Sequence, residues 1–166
     1  MNLITLRFGE IDIDENKIIE MPDGMLGFPD RHFIILSPEN QESFFWLQSV
    51  DSPELAFVVT DPSSFVKGYE VNLTPDEYER IKLDQDSEVI ILAVVTMAGE
   101  VAKITLNLQG PVVLNPHKML AKQIVLEEGK YVTKHPLFGT AIPSLQQKEA
   151  VSTPFLEKIA TIFCNH

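Results

Sequence analysis

Glu88 to Pro116 reads EVIILAVVTMAGEVAKITLNLQGPVVLNP. Val89 to Val95 is an unbroken apolar run, mostly β-branched, too short to span a membrane as a helix and suited to a strand buried on both faces. In Met97-Ala98-Gly99-Glu100, Gly99 can take the positive φ of a tight hairpin. On the return, Ala102, Ile104, Leu106 and Leu108 alternate with Val101, Lys103, Thr105 and Asn107, the period of a half-buried antiparallel strand. Gly110-Pro111 bends the chain, and Val112-Val113-Leu114 adds a third short strand before Asn115-Pro116. This stretch predicts the central meander of one β-sheet.

Upstream, Ile4, Leu6 and Phe8 alternate with Thr5 and Arg7, giving a first strand to Gly9-Glu10, and a second is expected over Lys17–Met21. Between Met21 and Pro29, two Pro/Gly turns carry Met25, Leu26 and Phe28. Pro22-Asp23-Gly24 is a strong turn signal. The three apolar residues either plug a barrel end or form an exposed lip. Phe33–Leu36, the aromatic Phe44–Leu47 and Leu55–Val59 read as strands. Adjacent strand residues point to opposite faces, so Phe45 and Trp46 cannot share one core. Val66–Val71 reads as an edge strand. Thr74-Pro75-Asp76-Glu77 predicts a helix with a capping box and proline at its first position, with Tyr78 and Ile81 as its apolar contacts. Met119–Leu126 reads as a last strand. In the tail, Ser152-Thr153-Pro154 starts a candidate helix with Phe155, Ile159, Ile162 and Phe163 on one stripe.

The 166 residues suffice for one domain with a core, and an apolar content of 45% supports a folded globule. A net charge of −11, from 24 acidic against 13 basic residues, argues against nucleic acid and anionic membranes and permits a basic protein partner. One cysteine, Cys164, and an N-terminus that alternates at once, with no apolar signal core, lead us to expect a reducing, cytoplasmic setting. No two histidines have metal-ligand spacing, and P-loop, GxGxxG and GxSxG motifs are absent from the sequence. No cofactor is implied. These observations favour a binding protein over an enzyme. A small-ligand β-barrel, an enzyme with a dispersed site and a structural subunit are the alternatives.

Several short patterns, in order, carry a family resemblance. They are Met21-Pro22-Asp23-Gly24 with Gly27-Phe28, Phe45-Trp46-Leu47-Gln48-Ser49, Phe57-Val58-Val59 with Asp61-Pro62, and Asn107-Leu108-Gln109-Gly110-Pro111 with Asn115. With them the chain resembles the flagellar assembly factor FliW family. The resemblance implies an all-β, antiparallel barrel-like domain over residues 1–135, agreeing with the meander and with one short helix near residues 75–82. Residues 136–166 would form an extension. It also implies a non-enzymatic protein that binds the translational repressor CsrA, relieving repression of flagellin messenger RNA, and alternatively binds flagellin through its terminal helices, the C-terminal region in particular. CsrA binds RNA and so presents basic surface. Charge alone then points to Glu70, Asp76, Glu77, Glu79, Asp84 and Asp86 for the basic partner. Met25, Leu26, Phe28 and Phe45 are the candidates for an apolar helix.

Overall fold

The apolar run does become the longest strand. The computed structural model describes residues 1–37, 43–97, 103–127 and 129–137. Its strands are β1 (Asn2–Thr5), β2 (Gly9–Asp12), β3 (Ile19–Glu20), β4 (His32–Leu36), β5 (Phe45–Ser49), β6 (Ala56–Thr60), β7 (Ile90–Thr96), β8 (Thr105–Leu106), β9 (Val112–Asn115), β10 (Leu120–Gln123) and β11 (His135–Pro136). One α-helix, α1 (Pro75–Arg80), precedes β7. Seven strands close in the order β7-β6-β5-β4-β3-β10-β9 and back to β7, a barrel that removes its own sheet edges. All its pairs are antiparallel except β3 with β10. β8 and β11 extend the sheet outside the barrel, and β1 and β2 form a separate hairpin.

Strand alternation fills the interior. Phe33 and Ile35, Phe45 and Leu47, Ile90 and Leu92, and Val112 and Leu114 are all buried in one cluster, as a narrow barrel requires. The outer wall is covered in three places. The hairpin packs Leu3 and Ile13 onto Ile34. The segment around α1 packs Ile81 and Leu83 onto Val113 and Ile124. Ile104, Leu106, Leu108 and Leu137 gather with Val95. Trp46 lies on the outer wall, with the Arg7 guanidinium 4.4 Å from its ring centre and Phe8 edge-on at 5.7 Å, an arrangement that shields a half-buried indole.

The helix is as its sequence predicts. Thr74 Oγ1 accepts from the Glu77 N–H, and Glu77 Oε1 accepts from the Thr74 N–H at 2.8 Å. Ile81 is fully buried, but Tyr78 is 40% exposed and gives the helix no core contact. Beyond α1, Lys82 has φ +54. The buried Asn115 donates to the carbonyls of Ile81 and Lys82, satisfying helix-end acceptors that would otherwise lack partners.

Other expectations need correction. The three strands from Glu88 to Pro116 are not a meander. β8 and β9 lie along the same side of β7, Leu106 opposite Val95 and Val112 opposite Leu92, so the five residues between them face only two on β7. Asn107-Leu108-Gln109-Gly110-Pro111 is therefore a bulge in one interrupted strand. Asn107 Oδ1 accepts from the Gly110 N–H, and Gln123 Nε2 donates to the Gly110 carbonyl. Gly110 does not have positive φ; a Cβ there would instead meet the Asn107 and Gln123 side chains at 3.0 and 3.1 Å.

At the N-terminus, β1 turns back after Thr5, whose Oγ1 accepts from the Phe8 N–H and donates to the Gly9 carbonyl. Its buried face is Leu3 and Thr5, whereas Ile4 and Leu6 are 66% and 78% exposed. The alternation is real and its inward face is the opposite one, because the hairpin register places Leu3 over Ile34. Val66–Val71 is not a strand: Asp61 caps a short 3-10 turn at Pro62–Ser64, and Gly68, at φ +74, breaks the extension. The Gly99 turn and the candidate helix after Ser152 lie outside the described residues.

Candidate functional site

Loop 21–30 closes one end of the barrel. Gly24 takes φ +66, and the loop folds back so that Met21 and Met25, 0% and 4% exposed, fill the barrel mouth. Leu26 and Phe28 point the other way, 62% and 41% exposed, with Phe28 edge-on to Phe57 at 5.2 Å. The loop is thus both plug and lip, divided residue by residue. Of the four apolar candidates, Leu26 and Phe28 are on the surface. Met25 and Phe45 are core residues, Phe45 at 3% exposure inside the barrel, and no partner reaches them without opening it.

This end has a polar frame. Ser49 Oγ donates to the buried Asp30 carboxylate at 2.5 Å and accepts the N–H groups of Asp51 and Ser52. Gln48 Nε2 donates to the carbonyls of Ser49 and Leu55. Burial pushes the Asp51 carboxyl up, but the N–H groups of Arg31 and His32 and the His32 ring outweigh it and hold it below its ordinary value. Gln48 and Ser49 therefore tie the 49–55 turn to the barrel, which is the structural use of two residues that carried the resemblance.

The acidic candidates cluster around α1, on the outer wall. A groove of about 710 Å³ runs between Tyr78, Glu79, Lys82, Leu83 and Asp84. A cavity of about 350 Å³ adjoins the helix face that carries Thr74 and Glu77, walled also by Glu70, Leu126, Glu127 and Tyr131. The structure so brings together Glu79 with Asp84, and Glu70 with Glu77. Asp76 and Asp86 are exposed nearby but line neither cavity. Two of the six have structural duties as well: Glu77 closes the capping box, and Asp84 accepts from the Asp86 N–H and the Ser87 hydroxyl. Glu127 and Tyr131, which sequence reasoning did not select, reach the second cavity from the far side of the chain. The Tyr131 hydroxyl accepts from the Glu70 N–H, and its ring lies 4.6 Å from that of Tyr69.

Asp23 joins the two surfaces. Arg80 Nε and Nη2 donate to its two oxygens at 3.0 and 2.8 Å, and Lys122 Nζ donates at 3.1 Å. Leu26 N–H also donates to Gln123 Oε1 at 2.8 Å. The lip loop is therefore clamped to α1 and β10 at two points. The Arg80 hydrogen bonds, with help from Lys122 and against a smaller cost of burial, hold the Asp23 carboxyl far below the ordinary carboxylate range. A depressed folded-state value means that the clamp stabilises fully above the unfolded value, about 3.9, and is lost only as pH falls through the folded one. Partly exposed pairs are screened, so Asp23→Asn should cost at most about 1 kcal/mol at neutral pH. Urea melts of both proteins should show that gap constant from neutral pH down to the unfolded-state value and closing below it. A gap absent at neutral pH would mean that the clamp does not stabilise the loop.

A family described as FliW protein matches residues 2–137. The flagellar assembly factor FliW of Geobacter sulfurreducens is 55% identical over 144 residues, covering 87% of this chain and 91% of that protein. The protein of the same name from Clostridium novyi is 38% identical over 143 residues, covering 86% of this chain and the whole of that protein. A crystal structure of the flagellar assembly factor FliW superposes with a TM-score of 0.77 at 35% identity, covering 83% of this chain and 97% of that one. The fold thus has a solved counterpart, and the chain belongs to the FliW family of flagellar assembly factors.

Proposed function

We propose that this assembly factor acts by binding alone, in the cytoplasm, holding the repressor CsrA away from flagellin messenger RNA and alternatively taking up flagellin. The observation that carries the reading is the acidic wall around α1. From Glu70 to Glu88 the chain has seven carboxylates (residues 70, 76, 77, 79, 84, 86 and 88) against Arg80 and Lys82, and Arg80 is turned toward Asp23. A basic RNA-binding protein meets complementary charge there, with the exposed Tyr78 supplying apolar contact between the carboxylates. The barrel interior is filled by side chains, which favours binding on the outer surface over a small ligand held within. The exposed pair Leu26 and Phe28, on a clamped loop, suits the apolar stripe of a flagellin terminal helix.

Calorimetry with purified CsrA tests the first partner. Raising salt from about 0.05 to about 0.5 M shortens the screening length several-fold and should weaken the Kd at least about tenfold. Glu79→Lys combined with Asp86→Lys should reproduce that loss at low salt, with a slower on-rate. A Kd indifferent to both salt and charge reversal would remove the acidic wall from the interface.

A further inference from the structure

The family match ends at residue 137, and the strands show where the remaining chain sets out. β8 runs antiparallel to β7, with Thr105 opposite Thr96. β11 runs antiparallel to β8, and the Leu137 N–H donates to the Ile104 carbonyl. The chain therefore leaves at the Thr96 end of β7. The registers of β6, β5 and β4 place Ala56, Ser49 and His32 at that same end, and loop 21–30 lies over it. From β11 to β6 is three strand spacings, roughly 14 Å. Residues 138–151 could span roughly 45 Å if extended, well beyond what is needed.

Beyond that spacer, Thr153-Pro154 is a helix-start signal in the sequence, and Phe155, Ile159, Ile162 and Phe163 fall at i, i+4, i+7 and i+8. So short a helix is marginal in water unless its stripe is covered. Within 152–163 the only charged residues are Glu157 and Lys158, so the segment has no net charge to draw it to the acidic wall. Exposed apolar side chains at its own end of the barrel are Leu26 and Phe28, with Met97 just past β7 and Leu6 beside the 49–55 turn; of these, Leu26 and Phe28 share one loop, held by Asp23, Gln123 and the Gly24 turn. A fixed apolar lip beside the origin of a tethered apolar stripe gives that stripe a high local concentration.

We propose that residues 152–163 dock in cis across this end of the barrel, laying their apolar stripe on Leu26 and Phe28. The lip is then covered by the chain's own tail, and an apolar partner must displace it. Its accessible fraction sets the apparent affinity for any such partner. The docking does not depend on which partner that is.

Cys164 is the single cysteine and follows the stripe directly, which allows a trapping experiment in the full chain. Leu26→Cys and, separately, Phe28→Cys place a second thiol on the lip. Glu15→Cys places one on the exposed turn before β3, at the opposite end of the barrel. Under mild oxidation the lip variants should form an intrachain disulfide at least about tenfold faster than the control, reflecting the local concentration of a docked tail. Adding Ile159→Glu and Phe163→Glu should slow them to the control rate. Equal rates at both ends, or a lip disulfide that forms between chains only, would overturn docking in cis.

Discussion

Replacing Phe45 by alanine is expected to destabilise the protein by about 3–5 kcal/mol, the cost of emptying a large aromatic site in a packed core. The ring sits inside the barrel at 3% exposure, among Leu47, Val59, Ile90 and Leu92. In a chain of this size that loss corresponds to a fall in Tm of roughly 10 °C. Leu26→Ala and Phe28→Ala, at exposed lip positions, should melt within a few degrees of the parent, about 1 kcal/mol or less. Thermal melts of the three variants separate a core aromatic from lip residues before any partner is added. A Phe45→Ala protein that melts like the parent would show that the β5 register is wrong by one residue, since a one-residue shift exchanges the faces of Phe45 and Trp46.

Gly24→Val is expected to cost about 3–4 kcal/mol. A β-branched residue at φ +66 is strained by about 1–3 kcal/mol. A Cβ would also stand 2.7 Å from the Phe28 carbonyl oxygen and 3.3 Å from that of Asp30. Both obstacles are backbone atoms of the same tight loop, so no side chain can rotate away, and forcing them apart adds about 1–2 kcal/mol. The loop would also lose its grip on Met25 and on the Asp23 clamp, so binding at the lip should fall with stability. Gly110→Ala is the contrast. It meets only the Asn107 and Gln123 side chains, at 3.0 Å and beyond, without positive φ, and should cost about 1 kcal/mol. Denaturant unfolding at constant m-value measures both. Equal losses at the two glycines would mean that the left-handed turn at Gly24 is not present.

The stretches that were legible are those in which the controlling chemistry is local. Thr74 and Glu77 make a capping box with Pro75 at the first helical position between them, with groups no more than three residues apart. Pro22-Asp23-Gly24 makes its turn in the same way, and the apolar run before Thr96 is a strand in any β-fold that buries both its faces. The motifs behind the family resemblance proved to be structural as well: Gln48 and Ser49 frame the barrel end, Asn107 and Gly110 shape the bulge, and Asn115 caps α1 from β9. They report the fold, and with it the family.

Periodicity identifies two faces on a strand and is silent on which of them meets the rest of the molecule. β1 buries Leu3 and Thr5 and exposes Ile4, because the β1–β2 register and the position of Ile34 decide it. The same silence applies to Met25 and Leu26, adjacent and similar in chemistry, one in the barrel mouth and one in water. It applies equally to the acidic candidates, where Glu127 and Tyr131 join Glu70 across more than fifty residues of chain. Backbone propensity, capping and turn formation act over a few residues and are written in composition and order. Burial, ion pairing and the assembly of a surface are set by strand register and barrel closure, which bring together groups such as Asp23 and Arg80 that the chain separates by 57 positions.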